Sequence, residues 1–193
     1  MPRLTEATAA KRRMHILDAT AHCLFERGLL ATSIDDVCAR AGISKGAFYS
    51  HFPSRDALIH AVTDMLAAEL GPIDDSSIAA LADSLFAHQI APALPPAHAR
   101  FGIEITAAST GDPGLRERNS TNLERLRHAV EAAACSLIAA GKARADADAA
   151  ATGWLVQAHV MGVLCRNAVW PAQDAAALRR STHLLLESLL APV

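Results

Sequence analysis

Between residues 28 and 54 a helix start or stop signal recurs every few positions, and that punctuation restricts the fold more than any other feature of the chain. Gly28 ends a segment, 11–27, in which Ile16, Leu17, Thr20, Leu24 and Phe25 recur at helical spacing. Thr32-Ser33 then precede IDDVCARAG, where Ile34, Val37, Cys38 and Ala41 share one face, Asp35 and Asp36 fill the first turn, and Gly42 stops it. Ser44 opens KGAFYSHF, which Pro53 closes; Ser54 opens RDALIHAVTDMLAAEL, which Gly71-Pro72 end. The spacing predicts four helices within about seventy residues, the middle two short. Ala41-Gly42-Ile43-Ser44, joining those two, has the layout of a helix-turn-helix: glycine takes the positive φ of the turn, and the second helix is presented outward. A plain helical hairpin has the same turn, so the residues of the second helix must decide.

The stretch 42–52, which contains that helix at about 44–51, gathers three aromatic residues in five positions of a chain that is 4% aromatic, and Tyr49 is its single tyrosine. Helical geometry turns Ala47 and Phe48 toward the first two helices and Lys45, Gly46, Tyr49 and Ser50 toward the open side. A helix entering a major groove needs side chains that reach base edges, small residues where its backbone nears phosphates, and hydroxyl, imidazole or cationic groups for phosphate oxygens. Lys45, Gly46, Tyr49 and His51 supply that set, with Ser44 at the helix start. Thr32 and Ser33 add hydroxyls and free amides before the second helix, and Arg55 adds a cation before the fourth. A helical glycine costs about 1 kcal/mol relative to alanine, and close approach of DNA at Gly46 is the expected offset.

Residues 13–60 resemble the DNA-binding domain of the TetR (tetracycline repressor-like) family of bacterial transcription regulators. The resemblance is carried by Ile16-Leu17, Ala19, Leu24-Phe25, Gly28, Thr32-Ser33-Ile34, Val37, the run Ala41 to Gly46, Phe48-Tyr49, His51-Phe52, Ser54 and Leu58. Its most specific part is G-x-S-x-G-x-x-Y-x-H-F over residues 42–52. Phe48 stands where leucine or isoleucine is usual, Ala47 where threonine or serine is common, and Arg55-Asp56 where Lys-Glu is usual; Ala47 therefore lacks a hydroxyl for base or phosphate. The resemblance implies that Tyr49 and His51 touch the sugar-phosphate backbone, that Lys45 and Gly46 face bases or phosphates, that Arg55 clamps a phosphate, and that Phe48 and Phe52 are core. It further implies nine helices, a variable ligand-binding region and a dimer made by the last two helices of each subunit.

Composition agrees with an all-α fold. Of 193 residues, 51% are hydrophobic, largely alanine and leucine, and β-branched runs are missing. Residues 1–60 hold eight Lys/Arg against six Asp/Glu, whereas 61–193 hold ten against fourteen, so the positive balance falls on the segment expected to meet an anion. No apolar run reaches the roughly 20 residues of a membrane span, and MPRLTEATAAKRR lacks a signal-peptide core, so a cytoplasmic protein is expected. Cys23, Cys38, Cys135 and Cys165 lack zinc-binding spacing and are read as reduced core residues, with Arg166 beside Cys165 as the one hint of thiol chemistry. No nucleophile-base pair, phosphate loop, metal cluster or cofactor motif is present, so no catalytic role is expected.

Beyond residue 74, helices are expected at about 75–90, 96–110, 114–140, 146–168 and 173–190, giving about nine in all. We divide the chain into a DNA-binding domain, 1–54, whose connecting helix runs to about 70, and a helical ligand-binding and dimerisation domain, 55–193. Pocket candidates are Phe86, His88, Phe101, Glu104, Ile105, His128, Trp154, Gln157, Ala158, Met161 and Cys165, which combine bulk or polarity with inward-facing positions; core packing would use the same residues. Glu104, a carboxylate in the apolar FGIEITAA, needs a partner if buried. The last two helices are apolar on more than one side, which calls for a partner; Ala158, Gly162 and the stripe Leu178, Thr182, Leu185, Leu189 are the expected homodimer contacts. The leading reading is a homodimeric repressor that binds double-stranded DNA at a palindromic operator and is released by a small-molecule effector. The alternatives are a helical ligand carrier or enzyme using His88, His128 or Glu104, and an adaptor docking a partner on its last helices.

Overall fold

A computed structural model describes residues 6–68, 71–170 and 174–192. Among them the chain forms nine α-helices and no strand: α1 (Glu6–Arg27), α2 (Ile34–Ala41), α3 (Lys45–Tyr49), α4 (Arg55–Ala68), α5 (Ile78–Leu85), α6 (Pro96–Ala108), α7 (Pro113–Ala139), α8 (Ala149–Val169) and α9 (Ala175–Leu190). The expected helix count and order are observed. α1 begins five residues earlier than its apolar periodicity suggested, because Glu6 to Ala10 extend it as an exposed turn. α3 is shorter than expected, ending at Tyr49 with Ser50 as its C-cap. The expected ends of α4 at residue 70 and start of α9 at 173 lie outside the described residues. α5 stops at Leu85 and is followed by a π-turn, Phe86–Ile90, and a 3-10 turn, Ala91–Ala93. Pro92, which has no N–H to donate, falls in that 3-10 turn.

Two compact units form. The smaller contains the described residues through Ala68 together with Glu104–Arg118; the larger contains Gly71 through Ile103 and Asn119 onward. α4 therefore belongs wholly to the smaller unit, and the segment around the α6–α7 turn joins it from far along the chain. In the smaller unit α1 packs against α2 and α4, and α2 against α3. Its buried side chains include Ile16, Leu17 and Leu24 of α1, Val37 of α2, Phe48 of α3, Phe52, and Leu58 and Val62 of α4. The α6–α7 turn is bound to α4 by His60 Nε2 to Asp112 Oδ2 at 2.9 Å, and the start of α7 by Arg118 Nη1 to Asp64 Oδ2 at 2.8 Å. The His60 bond is the leading cause that holds the Asp112 carboxyl below the usual carboxylate range.

The larger unit is organised around Leu81 and Leu85 of α5, Leu126, Val130 and Leu137 of α7, Val156 of α8, and Leu186 and Leu190 of α9. α5 lies along α9, where Asp83 accepts from His183 Nε2 at 2.6 Å and pairs with Arg179 at 2.7 Å. Those two bonds, His183 first, lower the Asp83 pKa. A Cβ at Gly153 would stand 2.8 Å from the Arg127 carbonyl oxygen, so this glycine permits the close crossing of α7 and α8. Cys23 and Cys38 are buried, and burial raises both thiol pKa values. Cys135 and Cys165, read as core from their apolar neighbours, are exposed: both occupy outward positions of helices whose other faces are packed. No helix among the described residues is long and apolar enough to cross a membrane.

Candidate nucleic-acid interface

The turn between α2 and α3 is built by caps at every end. Ser33 N-caps α2 by accepting from Asp36 N at 3.2 Å while Asp36 Oδ2 accepts from Ser33 N at 2.9 Å, a complete capping box. The bonds from Ser33 are the leading cause lowering the Asp36 pKa. Gly42 ends α2 at φ 64°, ψ 35°, a left-handed conformation that an L side chain resists, and Ile43 N reaches back to Cys38 O at 3.0 Å. Ser44 immediately begins the next cap, its Oγ accepting from Ala47 N at 3.2 Å. Five residues of helix follow, too few to persist alone. They are held by Phe48, which is fully buried, and by Phe52, whose ring centroid lies 5.9 Å from that of Phe48. The Arg13 guanidinium stacks over Phe52 at 4.8 Å.

Anchored on that side, α3 leaves its other side bare. Ser44, Lys45, Gly46, Tyr49 and Ser50 are exposed, His51 is partly buried beside them, and Ser33 is exposed at the start of α2. The Tyr49 ring meets the edge of Phe48 at 5.3 Å and otherwise projects outward. Lys45 Nζ pairs with Asp35 Oδ1 at 2.8 Å, which holds the lysine pKa above its ordinary value and the ammonium beside the first turn of α2. This pairing was not expected from sequence; its signal is a lysine at the start of one short helix and an aspartate in the first turn of the other. A Cβ added at Gly46 would meet nothing nearer than Ser44 Oγ at 3.9 Å, and the glycine φ is not positive.

Two expectations for this face are corrected, and a third residue, Arg55, has a further duty. Ala47 does not pack inward: it is exposed, because a five-residue helix turns only Phe48 to the core. Thr32 is buried, and its hydroxyl donates to Gly28 O at 2.7 Å and Cys23 O at 3.2 Å, leaving none for a phosphate. Arg55 sends Nη2 to Leu29 O and Nε to Thr32 O, so two of its donors hold the α1–α2 turn. Its charge was legible in the sequence; the carbonyls that occupy it come from residues 23 and 26 positions away.

Residues 16–62 match the family model described as bacterial regulatory proteins, tetR family. Over those residues the chain is similar to the TetR family. The matched segment covers α2 and α3 whole and most of α1 and α4. Among curated proteins of similar sequence is the HTH-type transcriptional repressor KstR2 of Rhodococcus jostii, 42% identical over 48 residues, which are 25% of this chain and 24% of that protein. The first curated relatives are matched over about a third of their own length. Among solved structures, Salmonella enterica GusR superposes with a TM-score of 0.72 at 26% identity, covering 99% of this chain and 100% of that one. A TetR transcription regulator from Haloarcula marismortui superposes at 0.82 and 19% identity, over 94% and 99% of the two chains; that likeness is one of fold.

With a TetR-type fold in place, the sequence-based pocket and dimer residues scatter over the larger unit, except Glu104 and Ile105, which fall in the smaller one. Phe101 and Gln157 are buried, Phe86, His88 and Met161 partly so, and His128, Trp154 and Cys165 are exposed. Trp154, Gln157, Ala158 and Met161 line one shallow groove with Ser120, Leu123 and Glu124; Gly162 and Cys165 line a second with Arg166, Val169 and Trp170. His128 was expected to face inward but lies on the outer side of α7 between Glu124, 3.6 Å away, and Glu131, at 3.5 Å. Arg127 pairs with the same two glutamates and stacks over Trp154 at 5.1 Å. Glu104 belongs to the smaller unit, and a partner of its carboxylate is the Leu29 N–H, 2.6 Å from Oε2. The expected dimer stripe on α9 faces its own subunit instead: Thr182 is buried, bonded to Leu178 O and His159, and Leu185 and Leu189 pack on the core. Leu186 and Leu190 continue that inner face at helical spacing, which leaves Leu184 as an exposed large apolar residue of α9.

Proposed function

We propose that this chain is a TetR-family DNA-binding transcriptional regulator, a homodimeric repressor that presents the open face of α3 to the major groove of a palindromic operator. The observation that carries the reading is Gly46. It sits in a short helix at a cost of up to about 1 kcal/mol, with open space around it and no positive φ, so nothing inside the chain calls for a glycine there. An external surface that must come close to the helix backbone does call for it, and Lys45, Tyr49, Ser50 and His51 surround it with groups suited to phosphate oxygens and base edges. The word repressor in the name of the KstR2 relative supports that sign of regulation.

A palindromic site needs two recognition helices about 34–36 Å apart, hence a two-fold dimer. Trp154, Leu155, Val169 and Trp170 of the α8 region and Leu184 of α9 are large apolar side chains left exposed, together with Ala158 and Gly162, and a second copy would cover them. An effector in the larger unit would release DNA by favouring the dimer geometry that does not fit the operator. The fully buried Asn167 Oδ1, which has no hydrogen-bond partner among the described residues, is an acceptor that an effector's donor could satisfy. A regulator of this kind acts in the cytoplasm and needs no catalytic group.

Gly46→Ala separates folding from binding. The substitution should leave thermal stability unchanged or raise it by a few degrees, as helix propensity requires. In a band-shift assay with the DNA upstream of its own reading frame, the same variant should bind roughly tenfold or more weakly than the parent. Equal DNA affinity in the two proteins would remove the argument from Gly46.

A further inference from the structure

We propose that Glu104 is a positioning residue for DNA binding, its carboxylate fixing the α1–α2 turn from which α2 and then α3 are launched; the role rests on the DNA-binding reading above. Leu29 N donates to Glu104 Oε2 at 2.6 Å, the short distance of a charge-assisted bond, across 75 residues of chain. Gly28 beside it has φ 88°, and a Cβ there would stand 2.7 Å from Glu104 Oε1 and 3.2 Å from Oε2. That glycine is required for its left-handed backbone, and the carboxylate tip occupies the space beside it that a side chain would enter. Residues 28–32 are held from the remaining directions as well: Gly28 N donates to Leu24 O at 2.8 Å, Arg55 binds the Leu29 and Thr32 carbonyls, and the Thr32 hydroxyl binds Gly28 O. The next residue, Ser33, is the N-cap of α2. A turn clamped peptide by peptide sets where α2 begins, and the caps at Gly42 and Ser44 pass that placement to Lys45, Gly46 and Tyr49.

Charge and position predict opposite signs. A carboxylate in a unit that meets phosphates repels them, so its removal should tighten binding if charge alone matters. If position matters, losing the acceptor loosens the turn and weakens binding. The test compares Glu104→Ala, Glu104→Gln and Glu104→Asp in the full chain, reading hydrogen exchange at the Leu29 amide and affinity for the upstream DNA at several salt concentrations. Glu104→Ala should accelerate exchange at Leu29 and weaken DNA binding roughly tenfold, with the salt slope unchanged because no phosphate contact is lost. Glu104→Gln, which keeps an acceptor of the same reach, should retain most of the affinity. Glu104→Asp, which keeps the charge but withdraws it by one methylene, should weaken binding and serves if the alanine variant does not fold. Unchanged exchange at Leu29, or alanine and aspartate variants that bind DNA as tightly as the parent, would overturn the proposal. If the parent itself bound no DNA, the DNA-binding reading would fail, while exchange at Leu29 would still report whether the clamp exists.

Discussion

Phe48 and Tyr49 are neighbours in sequence, yet one ring is fully buried and the other is 51% exposed. The difference is one of helical angle: it assigns one ring to stability, and on the proposed function it leaves the other for recognition. Phe48→Ala should destabilise the protein by about 3–5 kcal/mol, read as a shifted urea midpoint, because it empties a site on which a five-residue helix depends. Tyr49→Ala should move that midpoint by no more than about 0.5 kcal/mol and act instead on DNA affinity. The helical period carried this division in the sequence. It did not carry the fate of polar tips: the Thr32 hydroxyl and the Arg55 guanidinium are used by carbonyls of the α1–α2 turn, and a polar residue near a helix start reads the same whether its partner is a phosphate or a peptide. Glu104 shows the converse, since a lone carboxylate in an apolar helix signals a partner without saying that the partner is a backbone amide 75 residues earlier.

Short elements here are specified by their ends. Ser33, Gly42, Ser44 and Ser54 are each legible as caps, and the bonds at Ser33, Gly42 and Ser44 are those the residue types predict. Gly42→Ala has open space for its methyl group, so its cost is conformational: about 1–2 kcal/mol from the left-handed backbone, seen as a lower denaturation midpoint, with DNA binding weakened because the α2–α3 angle is disturbed. Less of the later elements was legible. The π-turn at Phe86–Ile90 leaves no periodic mark in FAHQI, and it ends α5 within a segment that reads as one helix to residue 90. On α9 the positions 182, 185, 186, 189 and 190 all turn to the subunit's own core; that this broad face is taken up within the subunit depends on the elements packed against it, and no pattern within α9 states it.

At the scale of the whole molecule, the smaller unit is assembled from two stretches of chain, and only the first carries the signature. A reading that follows the chain finds the motif and misses Glu104–Arg118, whose membership rests on contacts such as His60 with Asp112 and Arg118 with Asp64. The larger unit leaves Leu184 65% exposed and Trp154 56% exposed, which is the basis for expecting a dimer. Sedimentation velocity should give twice the monomer mass for the parent, and Leu184→Glu combined with Trp154→Glu should shift it to monomer while preserving helicity; an unaltered sedimentation coefficient would place the interface elsewhere.

DNA binding through the α3 face is the central claim, and salt dependence tests it most directly. Fluorescence anisotropy with the labelled upstream DNA, repeated between about 50 and 200 mM salt, should show affinity falling linearly on a log-log plot, by about 0.9 in slope for each phosphate neutralised. Lys45→Ala should make that slope shallower by about one for each α3 helix engaged. Absence of binding at the lowest salt, or an affinity indifferent to salt and to Lys45, would contradict the account.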